Sequence, residues 1–152
     1  MVVVLIKKYI IFLMQPRWEH FEHKGDVGIR GYGRTQDEAF EMAAVAMTAV
    51  ITNPERIQPN QEIEISCDGS DLDILFLDFL NTIISEMDLR KMLFSKFKVK
   101  IDGLSLKAKC YGEKIDIKRH EPAVEVKAAT LCELKVYQLP DSTWVAQCVL
   151  DV

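Results

Sequence analysis

His20, His23 and Asp26 stand in an H-x-x-H-x-x-D arrangement near the start of this sequence. Imidazoles and carboxylates ligate metals and carry protons, so the cluster has the makings of a metal or acid–base site. On a strand, residues three apart point to opposite faces, and His20 and His23 then share an ion only if a turn intervenes. The plainer alternative has both histidines bonding to backbone and Asp26 capping a turn. Asp26 lies between Gly25 and Gly28, where the backbone is open to close approach. A hard cation such as Ca, Mg or Mn takes oxygen ligands of this kind, but a second carboxylate has to come from elsewhere.

Asp151 is the candidate. The run Trp144 to Leu150 reads as a buried strand that stops in Asp151-Val152. The Asp151 carboxylate and the α-carboxylate of Val152 would form a dense oxygen cluster for a divalent cation if Asp26 faced it; otherwise Asp151 is a charge at a frayed, solvated end. In Glu125-Val126-Lys127-Ala128-Ala129-Thr130, strand alternation sets Glu125 and Lys127 on one face, either solvated or with Lys127 reaching a phosphate or an acidic group. Lys114, Lys118, Arg119 and His120 form the one basic cluster that the sequence makes visible. Without interleaved aromatics it reads as a solvated loop rather than an RNA groove. The glycines match neither a P-loop nor a strand-to-helix dinucleotide fingerprint, and no G-x-S-x-G or H-E-x-x-H occurs. Cys67, Cys110, Cys132 and Cys148 are far apart with no C-x-x-C pair, so they read as reduced and mostly buried thiols of a cytoplasmic protein.

Elements must hold these residues in place. Arg17 to Gly33 reads as extended, with Val27, Ile29 and Tyr32 among glycines that suit bulges or close backbone approach. Thr35-Gln36-Asp37-Glu38 is a capping box that starts a helix running through Phe40, Ala43, Ala44, Met47 and Ile51, and Asn53-Pro54 ends it. Gln61 to Cys67 alternates as a half-buried strand. Ser70-Asp71-Leu72-Asp73 opens a second helix whose stripe is Leu72, Leu75, Phe76, Phe79, Leu80, Ile83 and Met87, with Asp78, Asn81 and Ser85 on its solvated side. Strands are expected over 97–101, 104–111, 114–117, 124–137 and 144–152. Two early helices and a strand-rich second half predict an α+β fold, the helices packed on one face of largely antiparallel sheet.

The chain has 152 residues, 49% of them apolar and 28% charged, which is the balance of an ordinary single domain. With 19 Lys and Arg against 23 Asp and Glu, the net charge is −4. Strong nucleic-acid binding through such a surface as a whole is not expected, although a local basic patch stays open. Residues 1–16 form an apolar extension that ends at Pro16, with 17–152 as the domain. Lys7 and Lys8 divide the extension and it is shorter than the roughly 20 residues of a membrane span, so no membrane association is expected. It is either a β-rich segment pairing with a sheet edge or a stretch upstream of a true start at Met14.

Four stretches together resemble the archease family, small proteins that assist the GTP-dependent tRNA-splicing RNA ligase. They are Glu22-His23-Lys24-Gly25-Asp26-Val27 leading to Asp37-Glu38-Ala39-Phe40, then Asp71 to Asn81, then Glu125 to Thr130, and finally Trp144-Val145-Ala146 running into Val149-Leu150-Asp151-Val152. The resemblance implies a divalent-cation site at Asp26, Asp151 and Val152, with Lys127 a functional residue near them and His23 and Glu125 in motifs that face the partner. It implies an archease-like single domain that is not itself an enzyme: it promotes guanylylation and turnover of the ligase, which joins RNA ends using GTP and manganese. Lys24-Gly25 departs from the family's Thr-Ala, and Cys132 stands where many members have His or Ser, so Cys132 is assigned no role. Two other readings compete, a small metal-dependent hydrolase using His20, His23, Asp26 and Asp151, and a chaperone-like binding module without a metal.

Overall fold

The computed structural model describes residues 15–152, and the apolar extension, whether a β-rich segment or a stretch upstream of a start at Met14, lies outside them except for Gln15 and Pro16. The chain opens as a hairpin of β1 (Arg17–His23) and β2 (Asp26–Gly33), with Lys24 and Gly25 both at positive φ in the two-residue turn between them. That is the backbone of a type I′ turn, which matches strand twist and favours glycine at its second position. The pairing is continuous, so the glycines of β2 make no bulge. Gly31 instead admits a neighbour: a Cβ there would sit 2.3 Å from the backbone of Ala39 and Ala43 on the next helix, α1 (Gln36–Ile51).

Thr35 caps α1 as expected, its hydroxyl accepting from the Glu38 N–H at 3.1 Å. The Glu38 carboxylate reaches back one residue further than a capping box requires, to the N–H of Arg34 at 3.4 Å and to its guanidinium. A 3₁₀ turn (Pro54–Arg56) leads to β3 (Gln61–Asp68), then α2 (Leu72–Arg90) capped by Asp71, then the hairpin β4 (Met92–Asp102) and β5 (Ser105–Lys114). A short helix α3 (Ile117–His120), two small strands β6 (Ala128–Ala129) and β7 (Lys135–Gln138), and β8 (Trp144–Asp151) complete the described chain.

The fold is α+β and antiparallel throughout, as the pattern of elements predicts, but the strands form two sheets. One runs β1-β2-β8-β6 with β7 also on β8; the other is β3-β5-β4. The helices lie between them, α1 touching β2 and β8 on one side and β4 on the other, α2 touching β3, β4 and β5 as well as β6 and β7. Phe40, Phe76 and Phe79 meet at the centre, fully buried, with ring centroids 4.9 and 5.8 Å apart. β4 is an edge strand, and α1 covers it: Glu41 and Asp37 accept from the N–H groups of Val99 and Ile101 at 2.7 and 3.2 Å. Burial raises both carboxyls above their usual range.

Two expected strands do not form as expected. Residues 114–117 end β5 and enter α3, because Asp116 caps that turn by accepting from the Arg119 N–H. Of 124–137 only β6 and β7 are strand. Apolar alternation alone could not reveal that this stretch is a chain pinned at a few points rather than a continuous ladder.

Candidate functional site

β2 and β8 run antiparallel with Val27 opposite Leu150, so the next step brings Asp26 beside Asp151. β1 sets His23 opposite Asp26, and β6 sets Ala128 opposite Asp151. Opposed residues of an antiparallel sheet project to the same face. His23, Asp26 and Asp151 therefore share one side of one rung at the end of the larger sheet, the side away from α1. The Lys127 N–H donates to the Asp151 carbonyl at 2.8 Å, which holds Lys127 just past that rung.

The carboxylates of Asp26 and Asp151 are exposed, as is Lys127. Among the described residues none of these three side chains has a hydrogen-bond or ion-pair partner. Two like charges on adjacent strands repel, and the pair makes chemical sense only with a cation or a basic group to share. Two open carboxylates and the oxygens of Val152 suit a hard cation that keeps much of its water. No three of His, Cys, Asp and Glu converge into a ready-made metal cluster among the described residues. The donor set fits an open oxygen site and does not fit a closed zinc-type cage.

His23 is flanked by the Glu133 carboxylate at 3.7 Å and by Cys132 Sγ at 3.7 and 3.8 Å from its two ring nitrogens. The near-equal distances place the sulfur against the ring rather than in line with one N–H. The 130–133 loop is tied down over β8: the Thr130 N–H donates to the Val149 carbonyl, and the Val149 N–H to that of Cys132. Further along the same face, Glu19 accepts from Tyr32 and Arg30 at 2.6 Å each, and Arg30 Nε donates to Gln147 at 2.9 Å. Burial raises the Glu19 carboxyl, but those two donors outweigh it and leave it below the usual range. This satisfied network makes a firm floor next to the rung.

The structure does not gather every expected residue. Glu125 lines a groove with Met87, Asp88 and Lys91 at the end of α2 and makes no described contact with the aspartates. The hydrolase constellation splits, because His20 projects to the helix side of the sheet, where Nε2 meets the Ala46 carbonyl at 2.8 Å. The basic cluster is no patch either. Arg119 grips Glu113 with two hydrogen bonds of 2.7 Å, and Lys114 donates to the Arg90 carbonyl. His120 is fully buried; its Nδ1 accepts from the Asp116 N–H, so the proton sits on Nε2 and is given to Glu113 at 3.0 Å. Arg119 above all, helped by the Gln58 N–H and His120, pulls the Glu113 carboxyl down to about 2. Cys67, Cys110 and Cys148 are buried free thiols as expected, with Cys110 and Cys148 pushed up to about 12 by burial; Cys132 is exposed.

Sequence reasoning also missed a residue. Helical spacing puts Asn81 on the solvated side of α2, yet its amide bonds the Ala129 backbone twice, donating to the carbonyl at 3.2 Å and accepting from the N–H at 2.9 Å. It takes the place of a neighbouring strand for β6, and β6 in turn holds Lys127 against Asp151. A lone amide in a helix carries no local signal of such a role.

Residues 18–152 match the archease protein family. The chain is similar to protein archease of Pyrococcus abyssi, 44% identical over 140 residues that span 90% of this chain and 99% of that one. It is similar also to protein archease of Pyrococcus furiosus, at 45% over the same shares. The solution structure of Methanobacterium thermoautotrophicum protein 1598 superposes with a TM-score of 0.78 at 34% identity, covering 89% of this chain and 98% of that one. A Thermotoga maritima archease, described as a possible chaperone, shares the fold with a TM-score of 0.59 at 20% identity, over 88% of this chain and 96% of that one.

Proposed function

The chain belongs to the archease family, and on that premise we propose that it is a non-enzymatic activator of the GTP- and manganese-dependent tRNA-splicing RNA ligase. It promotes guanylylation and repeated turnover of that enzyme, acting in the cytoplasm, with Asp26 and Asp151 as the acidic centre of its action. The observation that carries this reading is the pairing, at one rung of the sheet and beside Val152 and Lys127, of two exposed carboxylates that have no partner among the described residues. The pair holds a divalent cation of the Ca, Mg or Mn class. Such a cation supplies charge neutralisation and exchangeable coordination positions at a phosphate-rich pocket. The chain's own residues do the positioning: β2 and β8 fix the two acids, the Lys127 amide fixes the end of β8, and His23 borders the rung.

Guanylylation of the cognate ligase under multiple turnover, with wild type, Asp26→Ala and Asp151→Ala side by side, tests the reading. Stimulation by wild type is expected, with about a hundredfold loss in either variant, the size of effect expected when a catalytic positioning group is removed. Normal stimulation by either variant would overturn the acidic-site mechanism, and no stimulation by wild type would overturn the activator function.

A further inference from the structure

The outer face of the smaller sheet carries a basic patch that the linear sequence conceals. Lys96, Lys98 and Lys100 alternate along β4, and Lys107 and Lys109 along β5. All five are exposed, each separated from the next on its strand by a buried or half-buried residue. The register sets Lys98 directly opposite Lys109 and Lys100 directly opposite Lys107. Like charges on opposed positions destabilise a sheet, so two such rungs in succession are not there for the fold. The third strand answers them only in part: Glu64 faces Lys109, Ser66 faces Lys107, and Glu62 comes within 4.0 Å of Lys109. Asp68 and Asp102 stand at the hairpin end of the sheet, where Asp68 accepts from the Ser105 hydroxyl. A shallow depression of about 550 Å³ lies over the two lysine rungs.

We infer that this face binds the phosphodiester backbone of single-stranded RNA. The lysines repeat about every 6.7 Å along a strand and about 4.8 Å across strands, which is an array for a chain of anions rather than for one ion. Lysine is depleted where proteins meet proteins, and among the described residues no large apolar side chain is exposed within these three strands to centre such a contact. Tyr111 lies on the same face with the Lys96 ammonium 5.4 Å from its ring centroid, a small aromatic platform beside the cations. Lysine acts as a point charge, so the contact reads charge and not bases. The choice of RNA over other polyphosphates rests on the proposed partnership with an RNA ligase. The face belongs to the other sheet from Asp26 and Asp151, and the chain would hold RNA and act on the ligase through separate surfaces.

Fluorescence anisotropy of a labelled oligouridylate of about 20 nucleotides, titrated with the full chain between about 50 and 200 mM salt, tests this. Neutralising Lys98, Lys100, Lys107 and Lys109 to Gln should weaken binding at least tenfold at the lower salt. It should also flatten the dependence of log affinity on log salt by about 0.7 per lysine. The Lys98→Gln, Lys100→Gln double variant should lose about half of that slope, and it serves if the fourfold variant fails to fold. Absence of RNA binding by wild type, or equal binding by the variants, would overturn the inference. So would preference for polyglutamate over RNA through the same lysines, which would make the face a dock for acidic protein. Guanylylation in the absence of RNA reads the Asp26 and Asp151 function independently, so failure of one proposal is distinguishable from failure of the other.

Discussion

The two sheets use charge in opposite ways. At the end of the larger sheet, Asp26 and Asp151 bring two negative charges to one rung; across the smaller sheet, Lys98 with Lys109 and Lys100 with Lys107 bring positive charges face to face. Both arrangements are exposed and both work against the strands that carry them. Where the protein uses charge for stability it does the reverse. Buried Glu113 and His120, with the exposed Arg119 over them, join unlike or complementary groups and pin α3 to β5. Satisfied, unlike charges serve the fold, whereas exposed, like-signed and opposed charges gain nothing for it, which is why both proposals are placed on them.

That contrast can be broken at its structural member first. Glu113→Ala leaves the buried His120 Nε2–H and the Gln58 N–H without an acceptor, and should cost about 3 kcal/mol in denaturant unfolding. The folded Glu113 carboxyl, at about 2, lies below its ordinary 4.5. Its contribution is therefore present above about pH 4.5 and lost as pH falls from there through about 2. Stability of wild type should fall across that window more steeply than that of Glu113→Ala; parallel curves would place the carboxyl outside the fold's support.

The positioning of the acidic rung is the next test. Asn81→Ala strips the Ala129 backbone of both its side-chain bonds and should cost about 1 to 2 kcal/mol in thermal or urea melts. It should also lower ligase activation while leaving Asp26 and Asp151 in place, and full activation with that loss of stability would show that β6 needs no such support.

Smallest in energy are the changes that relieve like charges. Asp151→Asn, measured with chelator present, and Lys100→Glu should each raise stability by a few tenths of a kcal/mol, because each removes repulsion across opposed strands. A loss of stability in both would mean that these charges serve the fold after all, and the contrast between the sheets would collapse.

Much of the architecture is legible locally. Thr35 and Asp71 are capping residues that name their helices, and the apolar stripe from Leu72 to Met87 follows helical spacing because one face must be buried. The acidic candidates were visible for a different reason. Asp26 stands among glycines and Asp151 ends an apolar strand, so each acid is out of keeping with its surroundings. The lysines of β4 and β5 give no such signal, because each one sits next to a buried residue, which is how any half-exposed strand looks. Arg119 and His120 read in the sequence as part of a solvated loop, and only the carboxylate of Glu113 on β5 shows that they pin α3 to the sheet instead.

By itself, then, the sequence determined the two long helices, most of the half-buried strands, the family motifs and the two candidate acids, since each depends on neighbours in the chain. Only the tertiary structure decided that Asp26 meets Asp151, that His20 turns to the opposite face from His23, and that the lysines of two strands form one surface. Those facts are matters of register between strands distant in sequence, where a shift of one residue turns every side chain to the other face, and it is burial of the apolar residues on the inner faces that selects the register.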